Sequence, residues 1–207
     1  MSLNLQPHQQ RAYDNMQVEN AGQIIIPTGG GKTYIMIADL KEQLRTAITP
    51  LINIVVAPRI LLSNQLHSEF SEHLVDEDVR ISHVHSGEVK EFSSTNADEI
   101  AQFVNNNDSH HIIYTTYHSL NKIVDSDITI DNIYFDEAHN GTARHFFESV
   151  LATSRYANRR YYFTATPRIG RGQSKERGMD NNRVWGNILE QTAAKELIQS
   201  GKIVPPM

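Results

Sequence analysis

The residue types best suited to chemistry are a lysine and a threonine that close a run of glycines, and two adjacent carboxylates far downstream. Gln23-Ile24-Ile25-Ile26-Pro27 is apolar and leads into Thr28-Gly29-Gly30-Gly31-Lys32-Thr33. Glycines let successive backbone N–H groups turn inward around phosphate oxygens, and a helix start behind them adds the positive end of its dipole. Lys32 then supplies a point charge for the outer phosphates of a nucleoside triphosphate, and the Thr33 hydroxyl completes the shell of a Mg2+ ion. The pattern G-x-x-x-x-G-K-[ST] has its first glycine where this chain has Ile26. The cradle is therefore expected to rest on Thr28, Gly29, Gly30 and Gly31. The competing reading is a tight, glycine-rich strand-to-helix turn.

In Ile133-Tyr134-Phe135-Asp136-Glu137-Ala138-His139 an apolar run delivers the carboxylate pair. If the run is a strand of an open α/β sheet, the pair stands at the edge where ligands bind. Asp136 can hold Mg2+ there, and Glu137 can orient and deprotonate the water that attacks the γ-phosphorus. An acidic strand exit that caps the next helix is the plainer alternative.

These two segments and their order resemble the superfamily-two helicases and translocases, in the branch that carries D-E-A-H and includes the type III restriction motors. Five further segments carry the resemblance along nearly the whole chain. Leu5-Gln6-Pro7-His8-Gln9 resembles the Q motif, which implies that Gln9 reads the adenine edge. Ala57-Pro58-Arg59 resembles motif Ia and Tyr114-Thr115-Thr116-Tyr117-His118-Ser119-Leu120 resembles motif Ib, which implies nucleic-acid contacts from Pro58, Arg59, Thr115, Thr116 and Tyr117, with helix-face packing of Tyr117 and Leu120 as the equal alternative. Thr164-Ala165-Thr166-Pro167 resembles motif III, with Thr164 and Thr166 linking the nucleotide site to the nucleic-acid track, and His139 is implied as a coupling residue between motifs. The run Leu197 to Pro206 resembles the exit from the first motor domain.

The resemblance implies an amino-terminal RecA-like ATPase domain over residues 1–207, with ATP and Mg2+ as ligands. It implies nucleic acid as partner, DNA favoured over RNA, and a second RecA-like domain carrying the arginine fingers. That domain is expected beyond Met207. Because an arginine finger supplies roughly 10³ to 10⁵ in rate, this domain alone is expected to bind MgATP weakly and hydrolyse it poorly. An RNA helicase, a nucleotide-sensing module without motor activity and a P-loop kinase are the competing functions.

The elements that must position these residues follow from the apolar runs. Short runs at Gln23 to Pro27, Leu51 to Ala57, Ile81 to His85, His111 to Thr115, Ile130 to Asp136 and Arg160 to Thr164 suit strands buried on both faces. Helical patterns fall between them at Pro7 to Glu19, Lys32 to Thr46, Ile60 to Leu74, Ala97 to Asn105, Tyr117 to Val124 and Thr142 to Tyr156. Such alternation predicts a mostly parallel sheet flanked by helices on both faces. Arg168 to Arg183, basic and glycine-rich, is expected to be the least ordered segment, either a solvated loop or a basic arm for nucleic acid.

A chain of 207 residues with 39% hydrophobic content suits one well-buried domain. The net charge of -5 argues against bulk electrostatic coating of nucleic acid but not against a few local backbone contacts. Cysteine is absent, which excludes a disulfide framework. No apolar run approaches the roughly 18 residues of a membrane span, so a cytoplasmic or nuclear location is expected. The pairs His83 with His85 and His110 with His111 lack a thiol or H-E-x-x-H partner, and surface or strand-edge positions are expected for them rather than zinc ligation.

Overall fold

The computed structural model describes residues 3–106, 108–199 and 201. Eight strands form one sheet: β1 (Ala21–Ile25), β2 (Ile52–Ala57), β3 (Val79–Val84), β4 (Phe92–Ser93), β5 (His110–Thr116), β6 (Ile130–Phe135), β7 (Ala157–Thr164) and β8 (Asn187–Gln191). Their spatial order is β4-β3-β5-β2-β6-β7-β1-β8, and each neighbouring pair runs parallel. All strands therefore end on the same edge. The loops after β1, β2, β5, β6 and β7 bear the residues singled out above, so a single edge collects them.

The continuous apolar runs are explained by two cores, one on each face. Val55, Tyr134 and Tyr161 are aligned across β2, β6 and β7 and pack into one core; their successors Val56, Phe135 and Tyr162, also aligned, pack into the other. The first face is covered by α1 (Pro7–Val18), α2 (Lys32–Thr46) and α3 (Ile60–His73). The second is covered by α4 (Ala97–Asn105), α5 (Leu120–Asp125) and α6 (Arg144–Tyr156). A buried charge ties α2 to the sheet. Asp39 is fully buried and accepts two bonds from Arg159, at 2.8 and 3.0 Å, one from Tyr134 Oη at 2.7 Å and one from Gln17 at 2.7 Å. Its oxygens are thus hydrogen-bonded and paired within the protein, which offsets the cost of burying them.

The amino-acid pattern did not reveal β4, β8, α7 (Asn182–Trp185) or α8 (Ala194–Gln199). β8 is an edge strand with one buried residue, so it shows no apolar run. The segment from Arg168 to Arg183, expected to be a loose loop, is instead folded against the domain. Met179 is buried, its amide donates to Arg168 O at 2.8 Å, and its carbonyl accepts from Gln23 Nε2 at 2.9 Å. Of the run Leu197 to Pro206, residue 200 and residues 202–206 lie outside the described residues.

Candidate nucleotide site

Between β1 and α2 the chain turns through Pro27 to Gly31, with Gly30 N donating to Pro27 O at 3.0 Å. Gly29 and Gly31 have φ of 80° and 77°, left-handed values that disfavour any side chain. Gly31 also caps α2. Gly30 explains how Ile26 can replace the usual first glycine. Ile26 is fully buried, and a Cβ at position 30 would collide with its Cγ2. Bulk at 26 is accommodated by its absence at 30.

α1 braces this loop from outside. His8 Nε2 donates to Gly30 O at 2.8 Å, and Gln9 Nε2 donates to Gly30 O at 3.2 Å and Gly31 O at 3.4 Å. Gln9 Oε1 accepts from Gln6 N at 2.8 Å, so both ends of the amide that was expected to read adenine are engaged within the protein. His8, adjacent to Gln9, was not anticipated; no spacing rule marks a histidine that bonds a loop carbonyl.

The carboxylates arrive from β6, with β7 lying between it and β1. Asp136 N donates to Val56 O at 2.8 Å, which extends the pairing with β2 by one residue. At Glu137 the backbone turns sharply, with φ 45° and ψ 52°. That turn aims the Glu137 side chain back toward the glycine loop. Lys32 Nζ lies 3.6 Å from Glu137 Oε1 and donates to Ile26 O at 3.4 Å. Burial, then the neighbouring Glu137 charge, pushes the Asp136 carboxyl up to about 6, with Lys32 pulling the other way. A desolvated carboxylate of this kind is suited to a divalent cation, which would supply the missing positive charge.

His139 joins this group to β7. Its Nδ1 is 2.9 Å from Thr164 Oγ1 and 3.4 Å from Glu137 Oε2, while Asn140 Nδ2 approaches its Nε2 at 3.5 Å. A donor at Nε2 places the ring proton on Nδ1, shared between Thr164 and Glu137. Burial lowers the His139 pKa and favours this neutral form. Thr164 Oγ1 also accepts from Thr166 N at 3.1 Å, whereas the Thr166 side chain is exposed. Thr28 is exposed and Thr33, in the first turn of α2, is partly buried beside Lys32.

Residues 2–169 match the family model described as Type III restriction enzyme, res subunit. The chain belongs to this family.

The res-subunit fold is shared with larger solved proteins. The nuclease-deletion mutant of the Type ISP restriction-modification enzyme LlaGI, in complex with a DNA substrate mimic, matches at TM-score 0.80 and 20% identity, over 97% of this chain and 21% of LlaGI. The Type ISP enzyme LlaBIII, bound to DNA, matches at TM-score 0.78 and 18% identity, over 97% of this chain and 16% of LlaBIII. The UvsW helicase from bacteriophage T4 matches at TM-score 0.65 and 15% identity, over 90% of this chain and 60% of UvsW. The chain thus spans about a fifth or less of the two Type ISP enzymes. No curated protein sequence matches it. These likenesses establish a RecA-like fold for this res-subunit domain.

On the expected nucleic-acid side the structure divides the candidates. Pro58 and Arg59 lie between β2 and α3, with Arg59 exposed at the α3 cap. The side chains of the other three face inward, which for Tyr117 is the packing alternative. Thr115 is fully buried and donates to Val84 O at 2.8 Å; Thr116, 3% exposed, meets Ser119 Oγ at 3.5 Å. Tyr117 is 2% exposed and donates to Asp136 O at 2.9 Å. Its ring fills the core and its hydroxyl satisfies the strand end that carries the carboxylates.

The histidines also depart from expectation. His83, His85 and His111 are buried rather than at the surface. Burial lowers all three pKa values, that of His83 to about 4. An open cavity of about 1160 Å³ is lined by Phe147, Arg155, Arg160, Lys175 and Arg183 among others, and by none of the nucleotide-site residues. Among the described residues no helix is long and apolar enough to cross a membrane.

Proposed function

We propose that this chain is the ATP-hydrolysing half of a superfamily-two DNA translocase or helicase motor, and that a second RecA-like domain of the same protein completes it. The observation that carries this reading is the meeting of Lys32 and Glu137 at 3.6 Å, with His139 joining Glu137 to Thr164. A kinase or a bare nucleotide sensor has no need for a carboxylate linked onward to another loop.

The glycine loop and the α2 start offer N–H groups to the triphosphate, and Lys32 neutralises its outer charge. Thr33 and Asp136 would hold Mg2+, which when bound screens the phosphate oxygens. Once Lys32 turns to phosphate, Glu137 is released to accept a proton from the attacking water. His139, keeping its proton on Nδ1, holds Glu137 and senses the position of Thr164. Gln9 selects adenine if a base displaces its bonds to the loop. Arg59 and the α3 start would contact nucleic-acid phosphates, which gives little sequence preference.

DNA is favoured because LlaGI and LlaBIII, which resemble the chain in fold, are seen with DNA or its mimic. The test is ATP turnover by the complete gene product, measured with duplex DNA and with RNA side by side. DNA stimulation with little response to RNA supports the proposal. Turnover indifferent to both overturns the motor reading.

A further inference from the structure

Ser63 Oγ, Asn64 Oδ1 and Ser71 Oγ on α3, Tyr114 Oη on β5 and His83 Nε2 on β3 are buried without a hydrogen-bond partner. Buried polar atoms almost always have one, and of these His83 Nε2 is the one that faces other metal-ligating groups. His83 is fully buried, and its orphaned Nε2 stands 3.8 Å from Glu91 Oε2. The His67 ring on α3 is 4.9 Å from the His83 ring, and Tyr114 stacks on His83 at 5.5 Å. One ligating atom from each of His67, His83 and Glu91 lies within 4.8 Å of the other two.

We propose that His67, His83 and Glu91 form a site for one divalent ion of the zinc class, clamping α3 to β3 and to the segment entering β4. Two imidazoles and a carboxylate are a zinc ligand set, and they leave a fourth position for water. Tetrahedral bonds of about 2.0 to 2.1 Å separate ligand atoms by about 3.3 Å, so His83 and Glu91, at 3.8 Å, need only a small approach and no pair starts beyond 4.8 Å. Glu91, with its side chain 34% exposed, provides the path of entry and the freedom to move. Tyr114 walls the site from within.

Hydrogen bonds around His83 say what loading must change. The Gly87 amide donates to His85 Nδ1 at 3.1 Å, so His85 carries its proton on Nε2 and donates it to His83 Nδ1, also at 3.1 Å. His83 then has its own proton on Nε2, directed at Glu91. A bound ion takes that position, and the His83 proton moves to Nδ1. The His83–His85 bond reverses, His85 moves its proton to Nδ1, and the Gly87 amide lets go. Both rings stay neutral, with no net proton gained or lost. The ion is thereby coupled to the backbone at Gly87, at the start of the segment that bears Glu91, and to the helix whose cap is Arg59.

The test uses the full chain stripped with a chelator and titrated with Zn2+ by calorimetry and with Co2+ by visible absorption, in excess Mg2+ to fill the nucleotide site. One ion per chain is expected, with a four-coordinate Co2+ spectrum and a shift of the Gly87 amide resonance. His67→Ala and Glu91→Gln are each expected to weaken binding by at least about tenfold while keeping the far-ultraviolet dichroism of the parent. Glu91→Gln changes a partly exposed side chain, so a folding failure at His67 would not remove the test. No stoichiometric binding, displacement of the ion by Mg2+, or equal affinity in the parent and Glu91→Gln would overturn the proposal.

Discussion

Lys32 Nζ and Glu137 Oε1 stand 3.6 Å apart, brought together from the ends of β1 and β6 across the intervening β7. Before nucleotide arrives, the ammonium and the carboxylate offset each other's charge in a partly desolvated site. Under the proposed function, an incoming triphosphate would compete for the ammonium and free Glu137 to act as the base. Glu137→Gln should therefore keep ATP binding within a few-fold and cut turnover by about 10² to 10⁴. Equilibrium binding of a fluorescent ATP analogue, paired with phosphate release by the complete protein, checks both halves; loss of binding equal to the loss of turnover would contradict the assignment.

Thr164 Oγ1 is the point where His139 and the Thr166 amide meet, at 2.9 and 3.1 Å. Thr164→Val keeps the shape and removes the hydroxyl, leaving the Thr166 amide without its acceptor, for about 1 to 3 kcal/mol of lost stability. If this contact couples the loops, basal turnover should survive while stimulation by DNA drops several-fold. Unchanged stimulation would make the contact structural only.

Gly31→Ala faces two separate penalties. The left-handed backbone costs roughly 1 to 2 kcal/mol for a residue with a Cβ, and that Cβ would collide with Gln9 Nε2. Adding Gln9→Ala should relieve the collision and not the backbone strain. Urea denaturation of the two single variants and the double variant separates them: recovery in the double variant is expected to be partial, and full recovery would mean that the φ of 77° carries no strain.

Tyr117→Phe should leave DNA affinity unchanged and cost about 1 kcal/mol of stability through the lost bond to Asp136 O. Arg59→Ala should do the opposite, leaving stability alone and reducing the salt dependence of DNA binding by about one phosphate contact. Binding titrations across a salt series distinguish them. Weaker DNA binding by Tyr117→Phe would restore the tyrosine to the nucleic-acid surface.

His111 is buried, and burial, followed by Arg80 and His110, lowers its pKa from the usual value near 6.5. The folded state keeps the ring neutral while the unfolded chain protonates it. Below about pH 6.5 the unfolded state thus binds more protons, so stability is lost as pH falls through that value toward the lowered pKa of the fold. Denaturant midpoints from pH 7.5 down to 5 should fall less steeply in His111→Phe than in the parent. Parallel slopes would show that His111 titrates alike in both states.

The chain alone determined the alternation of strands and helices, because strands buried on both faces need unbroken apolar runs and helices need their own repeat. It also determined the chemistry available at Lys32, Thr33, Asp136 and Glu137, since the residue types set what each group can hold or protonate. Only the tertiary structure decided which groups meet. The contact of Lys32 with Glu137 depends on β7 spacing β1 from β6, and the inward turn of Thr115 and Tyr117 depends on the Val84 and Asp136 carbonyls that they satisfy. β8 escaped notice because an edge strand with a single buried side chain leaves almost no apolar trace. His67, His83 and Glu91 were likewise invisible as a group: they come from a helix, a strand and a loop, and proximity across elements leaves no periodicity in the chain.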